Sequence, residues 1–523
     1  MPALVSPGVS VSVTNESMYV AATANTVPLF FIATRADKKK ADNVTPAPGA
    51  LETGVVRTIT SLSQLVDTYG VPYFRQDNLG NELHGDARNE VGLFAVSKYL
   101  SQGNKAYVVR ANVDLADTAV TTYTAGTPAF VGTGDGTLTA VTVNQSTAVA
   151  ETWTITATSA TTFSVTGFVS GAQTVATVGT PYNNGKIAFT LTAGLTPFAV
   201  ADAFTIAVTA SVGAAPLGVD DAAKRVTIVT ALNALINTNQ DVRSDIYEYN
   251  LILTPGYSEA ANAMVSLNLT LNNEAFVISD TPFTLTPDAT ATWGATVARV
   301  QSESLAYYYP HGLASNLDGR TVFVPASSIA LSTYTFSDNV SEVWYPPAGF
   351  RRGVVSGITD IGYVTGTLGT ATTFVQAPLN QGQRDTLYAQ TVCINPITLF
   401  PGRGISVFGQ KTSVAVASAL DRVNTVRALN KIKRDLRKLS MPFLFELNDR
   451  TTRDALKQAF DDYLNDIMIR RGLSDFLVII DASNNTPTRI DTNQLYADVL
   501  LKLTKAAEFI IIPIRVLSTG ASM

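Results

Sequence analysis

Between Thr118 and Val212 the chain carries only four charged residues, Asp135, Glu151, Lys186 and Asp202. Thr, Ala, Val and Gly dominate the rest of this stretch. Short alternating runs (Trp153 to Ala157, Phe163 to Thr166, Ile187 to Leu191, Phe204 to Val208) are separated by Gly, Asn and Pro turns. That rhythm predicts a small all-β sandwich over residues 116–215. The alternative is a long linker; the regular strand signals and the aromatic residues weigh against it. A folded insertion is tolerated where it meets solvent, so this one is expected on the outer surface. On both sides of it helices and strands alternate instead.

The whole chain has 523 residues, too many for one ordinary core, and three or four domains are expected. Hydrophobic residues make up 46%, enough for a sizeable core. The net charge of −5 argues against a protein that coats nucleic acid. Cys393 is the single cysteine, so an intramolecular disulfide is excluded. The N-terminus lacks a basic stretch followed by an apolar one, so no signal peptide is expected. No run of about 18–20 residues is continuously apolar, and a soluble protein is expected.

In chain order, Val9, Val11 and Val13 alternate with Ser10, Ser12 and Thr14 after Pro7-Gly8, a strand with one apolar face. No hairpin signal follows, and a lone strand must pair with some other sheet edge to satisfy its backbone. It either tucks into its own domain or crosses to another chain. Helices are expected over Ser61 to Tyr69, Glu90 to Gln102, Asp221 to Ile236, Ser258 to Leu271 and Ala295 to Ser302. Strands are expected from Leu29 to Ile32, Tyr107 to Arg110, Tyr247 to Leu253, Ala275 to Ser279 and Leu305 to Tyr309. Strands separated by helices imply crossovers and an at least partly parallel sheet.

Four segments carry a family resemblance: "NLILTPG" (Asn250 to Gly256), "AFVISDTP" (Ala275 to Pro282), "LAYYYPHG" (Leu305 to Gly312) and "VFVPASSIA" (Val322 to Ala330). "VWYPPAGF" (Val343 to Phe350) and "PGRGISVFGQKT" (Pro401 to Thr412) follow. Their ordered series resembles contractile tail sheath proteins of long-tailed phages and phage-derived injection machines. The similarity is substantial from about Tyr247 to Leu517, moderate over residues 5–112 and absent from the insertion. Sheaths usually carry Trp-Gly-Ala-Arg-Thr where this chain has Phe408-Gly409-Gln410-Lys411-Thr412, which puts any specific arginine contact there in doubt. The insertion resembles Ig-like decorating domains of phage surfaces.

The resemblance implies a multidomain α/β (α+β) chain with terminal exchange arms. Its parts are an arm at 1–20, a sheath domain split between 21–115 and 216–400, and a C-terminal sheath domain with mixed sheet and helices at 401–523. It implies a subunit that polymerises around an inner tail tube, engages baseplate and tail terminator proteins, and contracts to drive the tube through a bacterial envelope. The place of work is the virion tail, assembled in the host cytoplasm, with no membrane insertion, no cofactor and no direct contact with nucleic acid. The alternatives are the sheath of a phage-derived bacteriocin or secretion-type system, a static surface or tube protein, or a hydrolase carried on the particle.

Within the C-terminal domain, Asp421 to Leu439 reads as an amphipathic helix with seven basic residues (Arg422, Arg427, Lys431, Lys433, Arg434, Arg437, Lys438). The next helix, Thr452 to Met468, carries Asp461, Asp462 and Asp466. The basic face is a solvated surface, a contact with an acidic surface of a neighbouring subunit, or a nucleic-acid site. The missing aromatic platform and the acidic chain disfavour the last. Lys433, Arg434 and Arg437 on one helix, and the three aspartates on the other, are the expected contact residues. Strands are expected over Ile405 to Phe408, Phe476 to Asp481, Leu495 to Thr504 and Phe509 to Leu517. In the last, "AAEFIIIPIRVL" resembles the Pro-Ala-Glu-Phe-Ile segment near sheath C-termini, with Ala506 in place of proline. Pro513 cannot donate to a ladder, so this strand belongs at an edge or a subunit junction. In the family, N- and C-terminal arms knit neighbouring subunits into a mesh. That makes Val9 to Val13, Ile510, Ile512, Ile514 and Val516 the expected interaction residues.

No Walker loop, His-Glu-x-x-His or paired Cys-x-x-Cys is present. "GTGDGT" (Gly132 to Thr137) lies in a β region with no helix behind it and reads as a turn. "DNLGNELHGD" (Asp77 to Asp86) offers oxygen ligands without EF-hand spacing and reads as a polar loop. His84 and His311 have no cysteine partners at metal spacing, and no nucleophile elbow supports a Ser-His-Asp site.

Overall fold

The computed structural model describes residues 26–116, 121–144, 147–212, 220–296, 299–509 and 511–512. It separates into two compact units, Asp117–Ala223 and the rest of the chain.

The larger unit is built on one eight-stranded sheet. Its strands are β1 (Pro28–Thr34), β2 (Val56–Ile59), β3 (Ala106–Asp114), β4 (Leu251–Leu253), β5 (Phe276–Asp280), β6 (Leu305–Tyr309), β7 (Ile394–Phe400) and β8 (Gly404–Val407), in the spatial order β2-β3-β1-β4-β5-β6-β7-β8. The six inner strands run parallel, and β2 and β8 close the edges antiparallel. Parallel strands are covered on both faces and so read as unbroken apolar runs. Every residue of β1 (PLFFIAT), β5 (FVISD) and β6 (LAYYY) is buried. The covering helices include α1 (Val91–Leu100) against β1, α2 (Ala261–Thr270) against β5, and α3 (Ala326–Val340) against β5 and β6. A four-stranded antiparallel sheet stands beside them, in the order Thr321–Val324, His311–Ser315, Asp360–Thr367, Ala371–Gln376. There a Cβ on Gly362 would lie 1.9 Å from the Val375 carbonyl oxygen, so only glycine fits.

The helix expected over Ala295 to Ser302 is displaced. It spans Pro287–Gly294, because Thr286 caps it by accepting from Ala289 N–H and Pro287 takes the first helical position. The strand expected from Tyr247 is confined to Leu251–Leu253; Tyr247 and Tyr249 instead turn their rings onto Tyr107, at centroid distances of 5.3 and 6.5 Å.

After β8 come two helices, α4 (Val423–Ser440) and α5 (Arg450–Ile469), and a hairpin of Leu473–Ile479 with Asp498–Leu503. Asp449 caps α5 by accepting from Thr452 N–H at 2.8 Å. Ile432 and Leu439 of α4 meet Phe460, Leu464 and Ile467 of α5 and Val478 of the hairpin in one apolar core. Trp344, from the loop after α3, plugs this core and donates Nε1–H to the Arg470 carbonyl at 3.1 Å. Leu495 and Ala497, expected in the last paired strand, pack against the core without entering the ladder. Phe509, Ile511 and Ile512 lie outside any strand among the described residues.

The smaller unit is all-β, with a seven-stranded and a three-stranded sheet. Trp153, Ile155, Phe163, Phe189, Phe204 and Ile206 form its core, with Phe163 and Phe198 edge to face at 4.9 Å. All four charges between Thr118 and Val212 hold loops. Glu151 accepts from Val169 and Ser170 N–H, both at 2.8 Å, and Lys186 Nζ donates to Ser170 Oγ at 2.6 Å. Asp135 accepts from Thr196 N–H at 2.7 Å. Asp202 accepts from Thr133, Gly134 and Ala199 N–H, which closes the glycine-rich turn and holds its carboxyl below the usual range.

Candidate assembly surface

The four sequence segments quoted above meet at one point beneath the C-terminal ends of the parallel strands. Asp280, ending β5, is buried and accepts from Gly256 N–H at 2.7 Å, Ser327 N–H at 2.6 Å and Ser327 Oγ–H at 2.7 Å. Gly256 turns at φ 86°, a conformation glycine favours. Beside it His311 Nδ1 accepts from Ala326 N–H at 3.2 Å. The start of α3 has no side-chain cap of its own, so Asp280 and His311 satisfy the first amides from strands distant in sequence. Burial pushes Asp280 up to about 6 and His311 down to about 3. A serine, a histidine and an aspartate are thus close together, yet Ser327 Oγ bonds the aspartate and the histidine's Nδ1 is taken by a backbone amide. This knot fastens sheet to helix.

The basic helix faces inward more than its charge suggests. Arg427 pairs with buried Asp338, and Arg434 Nη1 donates to the Glu274 carbonyl at 2.7 Å. Arg437 pairs with Glu274 at 3.0 Å and Asp245 at 3.6 Å, Lys438 with Glu248 at 2.7 Å, and Lys431 with Asp435 at 3.1 Å. Asn430 Nδ2 donates to the Ala275 carbonyl at 2.8 Å. The helix is therefore moored to the β4–β5 region of its own chain. Lys433 alone of the seven cations is exposed without a charged or hydrogen-bonding partner among the described residues. On α5, Asp461 pairs with Lys457 at 2.6 Å, Asp466 with Arg470, and Asp462 faces Gln458. Sequence periodicity located the basic face; it held no signal for partners lying some 160 to 190 residues earlier.

Several apolar side chains of the module are also exposed. In the α4–α5 linker, Leu444, Phe445 and Leu447 are exposed, and Phe445 holds φ 69°, which bulky side chains rarely adopt. Leu477 and Leu500 of the hairpin are half exposed. Among the described residues, neither outer edge of this two-stranded hairpin pairs with another strand. Such an isolated hairpin leaves two rows of backbone donors and acceptors for further strands. Ile512 is exposed, whereas Val9, Ser10, Val11, Ser12, Val13, Ile510, Ile514 and Val516 lie outside the described residues.

Where the chain leaves the hairpin, Glu508 is received by Arg422 Nε at 2.7 Å, Gln410 Nε2 at 3.0 Å and Tyr388 Oη at 3.2 Å. None of these contacts was expected. The available signal was one acidic residue in the otherwise apolar run after Ala506. Lys411, in the place of the usual arginine, is buried and donates Nζ–H to the Tyr388 carbonyl at 2.6 Å. In the Asp77 to Asp86 loop, Asp77 accepts from Leu79 and Asn81 N–H, so its oxygens face amides. Among the described residues no cluster of His, Cys, Asp and Glu could hold a metal ion, and no helix is long and apolar enough to cross a membrane.

The buried parallel sheet closed by antiparallel edges, with its helix–helix–hairpin module, is a fold shared with chains of contractile injection systems. Structures with this fold include a chain of the anti-feeding prophage baseplate (TM-score 0.54, 17% identity, 98% of this chain and 99% of that one). Another is a chain of an extracellular contractile injection system's sheath complex in the contracted state (TM-score 0.54, 15% identity, 98% of both chains). Residues 416–516 match the phage tail sheath C-terminal domain family. The tail sheath protein of Vibrio phage KVP40 is 34% identical over 202 residues, 39% of this chain and 28% of that protein. That of Enterobacteria phage T4 is 31% identical over 199 residues, 38% of this chain and 28% of that protein. The matches thus span little more than a quarter of these relatives' length. Residues 416–516 thus resemble the phage tail sheath C-terminal domain, and the fold is shared with chains of contractile injection systems.

Proposed function

We propose that this chain is the structural subunit of a contractile phage tail sheath. It polymerises into a helical tube around an inner tail tube, meets baseplate and terminator proteins at the tube's ends, and shortens to drive the inner tube through a bacterial envelope. The observation that carries this reading is the hairpin inside the matched sheath domain, whose two outer edges are unpaired among the described residues. Strand addition across chains uses the full set of backbone hydrogen bonds and tolerates many side chains. The arm around Val9 to Val13 and the segment after Ile510 are the strands expected to fill those edges. A body moored by buried pairs and linked only through arms moves as a nearly rigid unit while the mesh stays connected. The work then comes from a metastable lattice, without nucleotide or catalytic residues. The phage relatives favour a virion tail over a secretion-type machine.

The test is negative-stain electron microscopy of the purified chain beside a version lacking residues 1–19. Hollow tubes from the full chain and none from the truncation support the reading. Monomers from the full chain even with inner tube protein added would overturn it.

A further inference from the structure

The segment that follows the hairpin is held in an unusual way. Thr504 N–H still bonds the Gly472 carbonyl, at 3.2 Å. From Lys505 to Phe509, the carboxylate of Glu508 makes the only hydrogen bonds among the described residues. The segment is only partly buried: Ala506 and Glu508 are half-buried, and Lys505, Ala507 and Phe509 are exposed. With Trp344, Phe350, Tyr388 and Phe408 it borders an open cleft of about 850 Å³. Beyond Glu508, Phe509, Ile511 and Ile512 are all more than 70% exposed.

The receiving groups are also held by contacts that do not involve Glu508. Gln410 N–H donates to Tyr388 Oη at 3.4 Å, so that the phenol's own proton points to Glu508. The Gln410 carbonyl accepts from Val423 N–H at 2.8 Å, and Lys411 bridges Arg422 through the backbone. Lys411 Nζ sits 4.5 Å over the Tyr388 ring and bonds its carbonyl. A Cβ on Gly409 would come within 2.9 Å of Tyr388, so the loop passes as close as it can. Arginine, amide and phenol thus converge on one carboxylate, and charge-assisted bonds of this kind are the stronger ones.

We propose that Glu508 is a positioning residue: it pins the C-terminal segment to its own subunit, and the exposed apolar residues after it are presented to a neighbouring copy from that fixed point. The pin itself stands on the contacts above; its consequence for a neighbour rests on the sheath reading. Arg422 precedes α4 directly and Gln410 follows β8, so a pull on the tail enters the moored body rather than the two-stranded hairpin.

The test uses the full chain with Glu508→Ala, Arg422→Ala, and the exchange pair Glu508→Arg with Arg422→Glu. The first readout is trypsin cleavage after Lys505 in the monomer, scaled to the thermal midpoint of the body. Each single substitution is expected to speed this cleavage at least tenfold with the midpoint unchanged, and the exchange pair to restore much of the protection. Cleavage at the wild-type rate in Glu508→Ala would overturn the pin. The second readout is tube formation. Slowed or irregular tubes from Glu508→Ala support presentation from a fixed point; tubes formed as fast as wild type would overturn that consequence. Faster cleavage with no tubes even from the wild type, inner tube protein included, would leave the pin standing and remove the sheath reading.

Discussion

Arg427 places Nη1 3.1 Å from Oδ1 of Asp338, and its other terminal nitrogen bonds the second carboxylate oxygen, with both side chains buried. The guanidinium also lies 4.6 Å over the ring of Tyr334. This forked pair joins α4 to α3, and so ties the C-terminal module to the central sheet. Removing one partner leaves a buried charge unmatched, which costs about 3–5 kcal/mol. Replacing both with apolar residues of similar volume is far milder. Arg427→Ala and Asp338→Ala are each expected to lower unfolding stability by about 3–5 kcal/mol. Arg427→Met with Asp338→Leu is expected to recover most of that loss. Urea unfolding of wild type, the two single variants and the double variant measures the differences.

Asp280 and His311 impose opposite pH slopes on stability. Burial raises Asp280 to about 6, so over roughly pH 4–6 the folded chain keeps a proton that the unfolded chain releases, and stability falls as pH rises. Burial lowers His311 to about 3, so from there to about pH 6.5 the unfolded chain takes a proton that the folded chain refuses, and stability rises with pH. Arg225 faces both groups. The slopes oppose each other between about pH 4 and 6, each on the order of 1 kcal/mol per unit. Relative to wild type, His311→Asn should gain stability as pH falls from 6 to 4.5, and Asp280→Asn should lose it. Parallel pH profiles for the two variants would contradict this assignment.

Much of the fold was legible because its signals are local. The parallel strands are short apolar runs bounded by Pro and Gly, and β6 has the expected bounds, Leu305–Tyr309. Ser61 and Gly70 bracket the helix Leu62–Tyr69 as the cap signals indicate. The failures came where a tertiary partner outweighed periodicity, as with Tyr247 and Tyr249 meeting Tyr107 edge to face instead of extending β4. The candidate site was legible in composition but not in its bonds. Seven cations from Arg422 to Lys438 suggest a contact face, and nothing local reveals that Arg434 and Arg437 meet Glu274. The Glu508 pin joins residues 86 to 120 positions apart, a distance at which pattern carries no information.

Trp344 fills the core of the C-terminal module from outside it, and with Ile467 it leaves room only for glycine at position 472. A Cβ at Gly472 would lie 2.5 Å from Ile467 Cγ2 and 2.9 Å from Trp344 Cδ2. Trp344→Ala is expected to cost about 3–5 kcal/mol through the cavity it leaves, and Gly472→Ala about 1–3 kcal/mol through overpacking. Combining the two should cost less than their sum, because the space left by Trp344 lets Ile467 move away from the added methyl. Thermal unfolding of the single and double variants measures the difference.

Lys433 separates assembly from stability on the basic helix. Arg434 and Arg437 bind the Glu274 residue of their own chain, so reversing them disturbs the mooring of α4 before any neighbour is involved. Lys433 is exposed and has no such partner among the described residues. Lys433→Glu is therefore expected to change unfolding stability by no more than about 0.5 kcal/mol. Arg434→Glu and Arg437→Glu are each expected to lose more than that. If the outer side of α4 meets an acidic neighbour, Lys433→Glu slows tube formation, and raising the salt concentration narrows the difference from wild type, because exposed pairs are screened. Tubes of unchanged rate from Lys433→Glu at low salt would assign that side of the helix to solvent.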